Sequence, residues 1–221
     1  MSAVSAGEAY RRIRDYLPEH IVLVIAAKGR RTEELAGVIN AGARVLGENY
    51  VQEAERHAGE LGPQADRAEW HMIGRLQTNK VNRALALFDL VQTLDSVRLA
   101  AALDKRAKEP VRALVEVNVG GESTKSGFPP QAVPAALREI SRLPNVRVEG
   151  LMTMEPYMLE PEDARPYFRQ LRELFVRLRD MAIPNVAMRT LSMGMTHSYR
   201  VAVDEGATMV RIGTAIFGPR P

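Results

Sequence analysis

Short apolar runs alternate with amphipathic segments along the whole chain. The runs are IVLVIAA (21–27), RVLGE (44–48), EWHMIG (69–74), DLVQTL (89–94), VRALVEVNV (111–119), VRVEGLMT (146–153), MRTLSMG (188–194) and TMVRIGTA (208–215). Each is rich in Val, Ile or Leu, and several close on Gly or a polar residue, the pattern of buried parallel strands. Helical patterns fill the intervals, most clearly PEDARPYFRQLRELFVRLRDM (161–181). There Pro161 suits a first turn with Glu162 and Asp163 at its positive end. Phe168, Leu171, Leu174, Phe175 and Leu178 recur at three- and four-residue intervals, making one apolar stripe. Strand-like runs separated by helices predict an α/β fold, a parallel (β/α)8 barrel of the TIM type. Such barrels typically take about 250 residues. A chain of 221 residues is therefore expected to form one lean domain over 1–221, with no sequence left for a second.

Charge and composition narrow the function. Lys plus Arg number 30 against 27 Asp plus Glu, a net charge of +3, and the longest basic cluster is KGRR (28–31). That is too short for a nucleic-acid surface, and the aromatic residues show no stacking pattern for single strands. The absence of cysteine excludes disulfides, thiolate metal sites and cysteine nucleophiles. His20, His57, His71 and His197 are scattered and no carboxylate cluster accompanies them, so no metal site is predicted. The N-terminal segment lacks the apolar core of a signal peptide, and IVLVIAA is far short of a membrane span. A cytoplasmic protein without membrane or nucleic-acid partners is expected. A barrel of this size can stand alone, so a monomer is expected too.

One residue breaks the pattern. Lys28 ends the first apolar run, where a lysine must reach water, find a partner or do chemistry. Barrel enzymes place their sites at the carboxyl ends of the strands, often with phosphate held after strands seven and eight. Those ends read SMGMTHS (192–198) and RIGTAIFG (211–218). Both offer small residues whose N–H groups can approach an anion, with Ser192, Thr196 and Thr214 as hydroxyl donors. Tight βα turns would account for either string alone. Closing the barrel sets strand one beside strand eight, and so brings Lys28 to Arg211 and the Gly213–Thr214 turn. A phosphorylated aldehyde, condensed with the lysine as a Schiff base, would satisfy all three. Lys28 snorkelling to solvent is the competing reading.

The strings VIAAKGR (24–30), GENYVQE (47–53), WHMIGRLQTNK (70–80), VNVGGESTKSGF (117–128), GLMTM (150–154), LSMGMT (191–196) and VRIGTAIFG (210–218) resemble, in order, those of the pyridoxal phosphate homeostasis proteins. These are single-domain relatives of the alanine racemase N-terminal barrel, with an N-terminal helix. The resemblance implies that pyridoxal 5′-phosphate is bound as an aldimine on Lys28 and that Arg211 faces the pyridine nitrogen. It places Ser192, the Met193 backbone, Gly213 and Thr214 at the phosphate. A cation at the ring nitrogen disfavours its protonation and makes the cofactor a poor electron sink. Asn49, after the second strand, and His71, inside the third, are candidate site-lining residues; a hydrogen-bonded core histidine is the plainer reading of His71. One departure stands out. The family pattern carries Asp where this chain has Ser198, which can still cap the following helix.

The implied function is a carrier or buffer that holds pyridoxal phosphate and hands it to apoenzymes, without substantial turnover. A weak amino-acid racemase is the alternative. Racemisation needs opposed groups on the two faces of the α-carbon. Lys28 supplies one, and only Tyr50 or His71 offers itself as the other. A phosphosugar barrel using Lys28 is a third reading, disfavoured by SMGM and Arg211 where they stand.

Overall fold

The computed structural model describes residues 5–156 and 160–219. All the apolar runs become strands: β1 (Val22–Ala26), β2 (Val45–Glu48), β3 (Glu69–Met72), β4 (Leu90–Leu94), β5 (Val111–Glu116), β6 (Val146–Met152), β7 (Val186–Ser192) and β8 (Met209–Ile212). They pair in parallel in chain order and close β1 against β8, as the alternation predicts. Two runs stop three residues short of their ends. The fifth yields to a loop that returns to bridge Val117 with Phe128, and the eighth ends where Gly213 opens a helical turn.

The crossovers are α2 (Thr32–Asn40), α3 (Val51–Leu61), α4 (Val81–Leu85), α5 (Val97–Arg106), α6 (Val133–Ile140), α7 (Arg165–Asp180) and α8 (Tyr199–Asp204), with α1 (Ala6–Tyr16) before the barrel and α9 (Thr214–Phe217) after it. Ser5 and Glu8 cap α1 reciprocally, and its Arg14 donates to the Ile21 carbonyl at 2.6 Å, fastening the helix to the start of β1. The segment 161–181 divides, because Pro166 lies in the first turn of α7 and Pro161–Ala164 forms a separate 3₁₀ turn. The stripe Phe168, Leu171, Leu174 and Leu178 is buried against the barrel as its spacing requires.

Apolar residues fill two regions. One lies between strands and helices; the other, inside the barrel, gathers Val24, Ile73, Leu90, Leu114, Met152 and Met209. Alternation along each strand decides which side chains enter that interior. On β5, Arg112, Leu114 and Glu116 share the inner face, from the lower mouth to the upper. That periodicity carries polar groups to both ends of the barrel.

Candidate functional site

The register explains how the site assembles. On β1 and β8, Val24 pairs with Arg211 and Ile25 with Ile212, so the two strand ends emerge side by side. Lys28 follows β1, half-buried, with its Nζ 5.2 Å from the centre of the Tyr50 ring. Gly213 follows β8, and a Cβ there would come within 3.1 Å of the Ala26 carbonyl oxygen. Glycine thus lets the α9 turn lie directly against the end of β1. Thr214 and Ala215 are exposed at the start of that turn, and the Ala215 N–H donates to Thr196 Oγ1 at 3.3 Å.

The loop carrying Lys28 is fastened on both sides. Arg30, 5% exposed, donates to the Gly218 carbonyl at 2.5 Å and the Pro219 carbonyl at 3.2 Å, with its guanidinium over the Phe217 ring. Glu53 accepts from the Gly29 N–H at 2.9 Å. Beneath, the buried Glu48 Oε1 lies 2.6 Å from His57 Nδ1, and His57 Nε2 lies 3.0 Å from the Arg30 carbonyl oxygen. Burial raises the Glu48 carboxyl above its ordinary value. Burial works against the His57 imidazolium too, but the Glu48 carboxylate and the Arg30 carbonyl together outweigh it and lift His57 above its usual range.

Asn49 and Tyr50 stand where β2 ends. A Cβ on Gly74 would meet the Asn49 carbonyl oxygen at 2.3 Å, so the turn after β3 presses on the loop that sets Tyr50 beside Lys28. Lys125 donates to the Glu155 carbonyl at 3.0 Å and ties the loop after β5 to the one after β6. Gln77, Asn79 and Lys125, with Arg75 and Asp95, border a polar cavity of about 850 Å³ on this same face. Trp70 packs in the core, and its indole N–H reaches the Ala65 carbonyl.

Arg211 sits deeper, 4% exposed, donating through Nη1 to Ser192 Oγ and through Nη2 to the Thr153 carbonyl, both at 2.6 Å. Burial lowers its pKa, opposed by the nearby Glu155 and Glu116 carboxyls, yet a guanidinium keeps its charge at working pH. Ser192 lies two residues beyond Thr190 on the inner face of β7, so its hydroxyl points into the barrel, fully buried, and bonds Arg211 and Gln92. The Met193 N–H is taken by the Met209 carbonyl at 3.1 Å. The hydroxyl that reaches the turn after β8 belongs to Thr196. Ser198 occupies the N-cap position of α8 without capping it; its Oγ accepts from the Met195 N–H and donates to Glu155.

His71 is in the interior, 1% exposed, between Gln92 and Glu69. Gln92, Thr153 and Glu116 were missed from sequence, although a glutamine inside a strand buried at every position is a signal in itself. The Glu116 carboxyl is 2% exposed, and burial with the Asp95 carboxylate pushes it up to about 7 against the pull of Arg211 and Arg75.

An amine, a buried permanent cation, a hydroxyl and the N–H groups of a turn thus converge on adjoining strand ends. This donor set fits an aldehyde that also carries an aromatic nitrogen and a phosphate. Among the described residues no group of His, Asp or Glu gathers to hold a metal, and no helix is long and apolar enough to cross a membrane.

Comparison with known proteins agrees with this chemistry. Residues 7–221 match the family described as alanine racemase, N-terminal domain. A protein of Aquifex aeolicus called pyridoxal phosphate homeostasis protein is 47% identical over 90% of this chain and 86% of its own. PipY of Synechococcus elongatus, at 32% identity, superposes with a TM-score of 0.89 without PLP and 0.87 with PLP bound, over 96% of this chain and all of its own. An alanine racemase of Clostridium difficile shares the fold at 14% identity and a TM-score of 0.78, and the chain spans 56% of it.

Proposed function

The chain belongs to the alanine racemase N-terminal domain family, and on that premise we propose that it binds pyridoxal 5′-phosphate and serves its homeostasis, as a carrier rather than an enzyme. The observation that carries this reading is the adjacency of Lys28, Arg211 and the Gly213–Ala215 turn across the β1–β8 seam. Relatives of matching length support it, since the Aquifex aeolicus protein bears that name and PipY has been seen with PLP bound.

Each residue then has a task. Lys28 Nζ would hold the cofactor at its carbonyl carbon, the carbonyl oxygen leaving as water, until another amine displaced the lysine. When bound, pyridoxal phosphate supplies that electrophilic carbon. Arg211 faces the ring nitrogen; its fixed positive charge keeps a proton off that atom and withholds the electron-withdrawing pull that amino-acid chemistry needs. Gly213, Thr214 and Thr196 hold the phosphate, while Ser192 acts one step away by orienting Arg211. Asn49 lines the mouth beside Tyr50.

The racemase alternative needs a base opposite Lys28. Tyr50 lies against Lys28 itself, and His71 is enclosed in the barrel interior. Release to apoenzymes, a monomeric single-domain barrel and a cytoplasmic location complete the proposal. Titrating cofactor-free protein with pyridoxal phosphate tests it: absorbance should change to a stoichiometric endpoint, and Lys28→Ala should abolish the change while the fold persists. A wild-type spectrum that does not respond refutes the binding. Loss of the α-hydrogen of L-alanine in deuterated water, well above the rate with free cofactor and amine, refutes the carrier role.

A further inference from the structure

A line of hydrogen-bonding groups runs through the barrel interior from Arg211 to the lower mouth. We propose that Ser192, Gln92 and His71 form a hydrogen-bond line of fixed polarity that positions the Arg211 guanidinium, with His71 held as the neutral tautomer protonated at Nε2. The proposal rests on the preceding assignment of Arg211 to the cofactor ring.

The polarity follows from one end. A guanidinium only donates, so Ser192 Oγ accepts from Nη1 at 2.6 Å and must turn its own hydrogen to Gln92 Oε1 at 2.8 Å. The Gln92 amide is thereby oriented, its nitrogen donating to His71 Nδ1 at 2.9 Å, with Met209 Sδ at 3.2 Å. A nitrogen that accepts carries no proton, so the imidazole proton sits on Nε2 and points to Glu69 Oε2 at 3.3 Å. Arg112, 3.7 Å from that carboxylate, closes the line. Ser192 and Gln92 are fully buried and His71 nearly so. A buried polar series of this kind is costly unless every member is satisfied, and each here has its partner. Leucine at 92, like Leu90 and Leu94 on the same strand, would serve packing alone.

At the lower mouth the line ends at a cavity of about 580 Å³ bordered by Glu69, His71 and Arg112, across the barrel from Lys28.

Long-range ¹H–¹⁵N correlation spectra of labelled, cofactor-free protein test the polarity without any cofactor. Wild type should show His71 protonated at Nε2 alone. Gln92→Glu should place a proton on Nδ1, because a carboxylate there can only accept, while Nε2–H still faces Glu69. Wild-type protonation at Nδ1, or an unchanged tautomer in Gln92→Glu, overturns the line. Its positioning role is read by titration with pyridoxal phosphate. Ser192→Ala and Gln92→Leu should each bind about tenfold more weakly, the loss of one charge-assisted hydrogen bond, and shift the bound absorption band; Ser192→Thr should restore both. Unchanged affinity and band in Ser192→Ala and Gln92→Leu, with thermal unfolding confirming that they are folded, would leave the line merely structural and overturn positioning. Wild type that binds no pyridoxal phosphate would sink the cofactor assignment and positioning together, whatever the spectra show of His71.

Discussion

Replacing Glu116 by glutamine should stabilise the protein, and only on the alkaline side. Its carboxyl is 2% exposed, Oε2 has no hydrogen-bond partner among the described residues, and the Asp95 carboxylate faces it. These surroundings raise its pKa from 4.5 to about 7. Between those values the folded protein keeps a proton that the unfolded chain has lost. The folded state binds more protons there, so stability falls as pH rises through that window and the loss is complete above it. At about 1.4 kcal/mol for each tenfold change in proton affinity, the full loss is on the order of 3 kcal/mol. Glutamine has nearly the same shape and no charge to desolvate. Urea unfolding of cofactor-free protein should therefore find Glu116→Gln close to wild type near pH 4.5, and more stable by about 3 kcal/mol near pH 8. Groups such as His57 titrate in both proteins and cancel in the difference. A difference that is the same at both pH values, or a variant weaker than wild type at the higher one, would refute the placement of this carboxyl as a buried, unpaired acid.

Other substitutions probe the scaffold around Lys28. His57→Ala leaves the fully buried Glu48 carboxylate without its partner and should cost about 3–5 kcal/mol in urea unfolding; a cost below about 1 kcal/mol would contradict the pair. Arg30→Ala releases the Gly218–Pro219 backbone from the loop after β1. Pyridoxal phosphate should then bind about tenfold more weakly in a spectroscopic titration, and unchanged binding would show that this strap does not set the lysine. Gly74→Ala drives a methyl group into the Asn49 backbone. It should weaken the same binding while far-ultraviolet circular dichroism stays native, and full affinity would remove the Asn49–Tyr50 loop from the site.

Most of the fold was legible because strand and helix periodicities are local properties. Buried parallel strands read as apolar runs, and a closed barrel forces β1 beside β8 whatever the loops do. The convergence of Lys28, Arg211 and Gly213 could be reasoned from that closure alone. The side of a strand end that a hydroxyl faces is harder to read. Ser192 and Thr196 are equally plausible phosphate donors in the string SMGMT, and only the inward phase of β7 turns Ser192 toward Arg211 and leaves Thr196 to the turn. Ser198 shows the same limit: position made it a cap, but the Glu155 carboxylate from the loop after β6 claims its hydroxyl. Contacts such as Arg30 to Gly218, separated by 188 residues, leave no local trace at all.

Everything turns on whether Lys28 is the amine that takes up the aldehyde. Protein loaded with pyridoxal phosphate, reduced with borohydride, digested and analysed by peptide mass spectrometry decides it. Stoichiometric pyridoxyl label on the peptide containing Lys28 is the expected result; label on Lys80, Lys125 or another lysine, with Lys28 unmodified, would contradict the site.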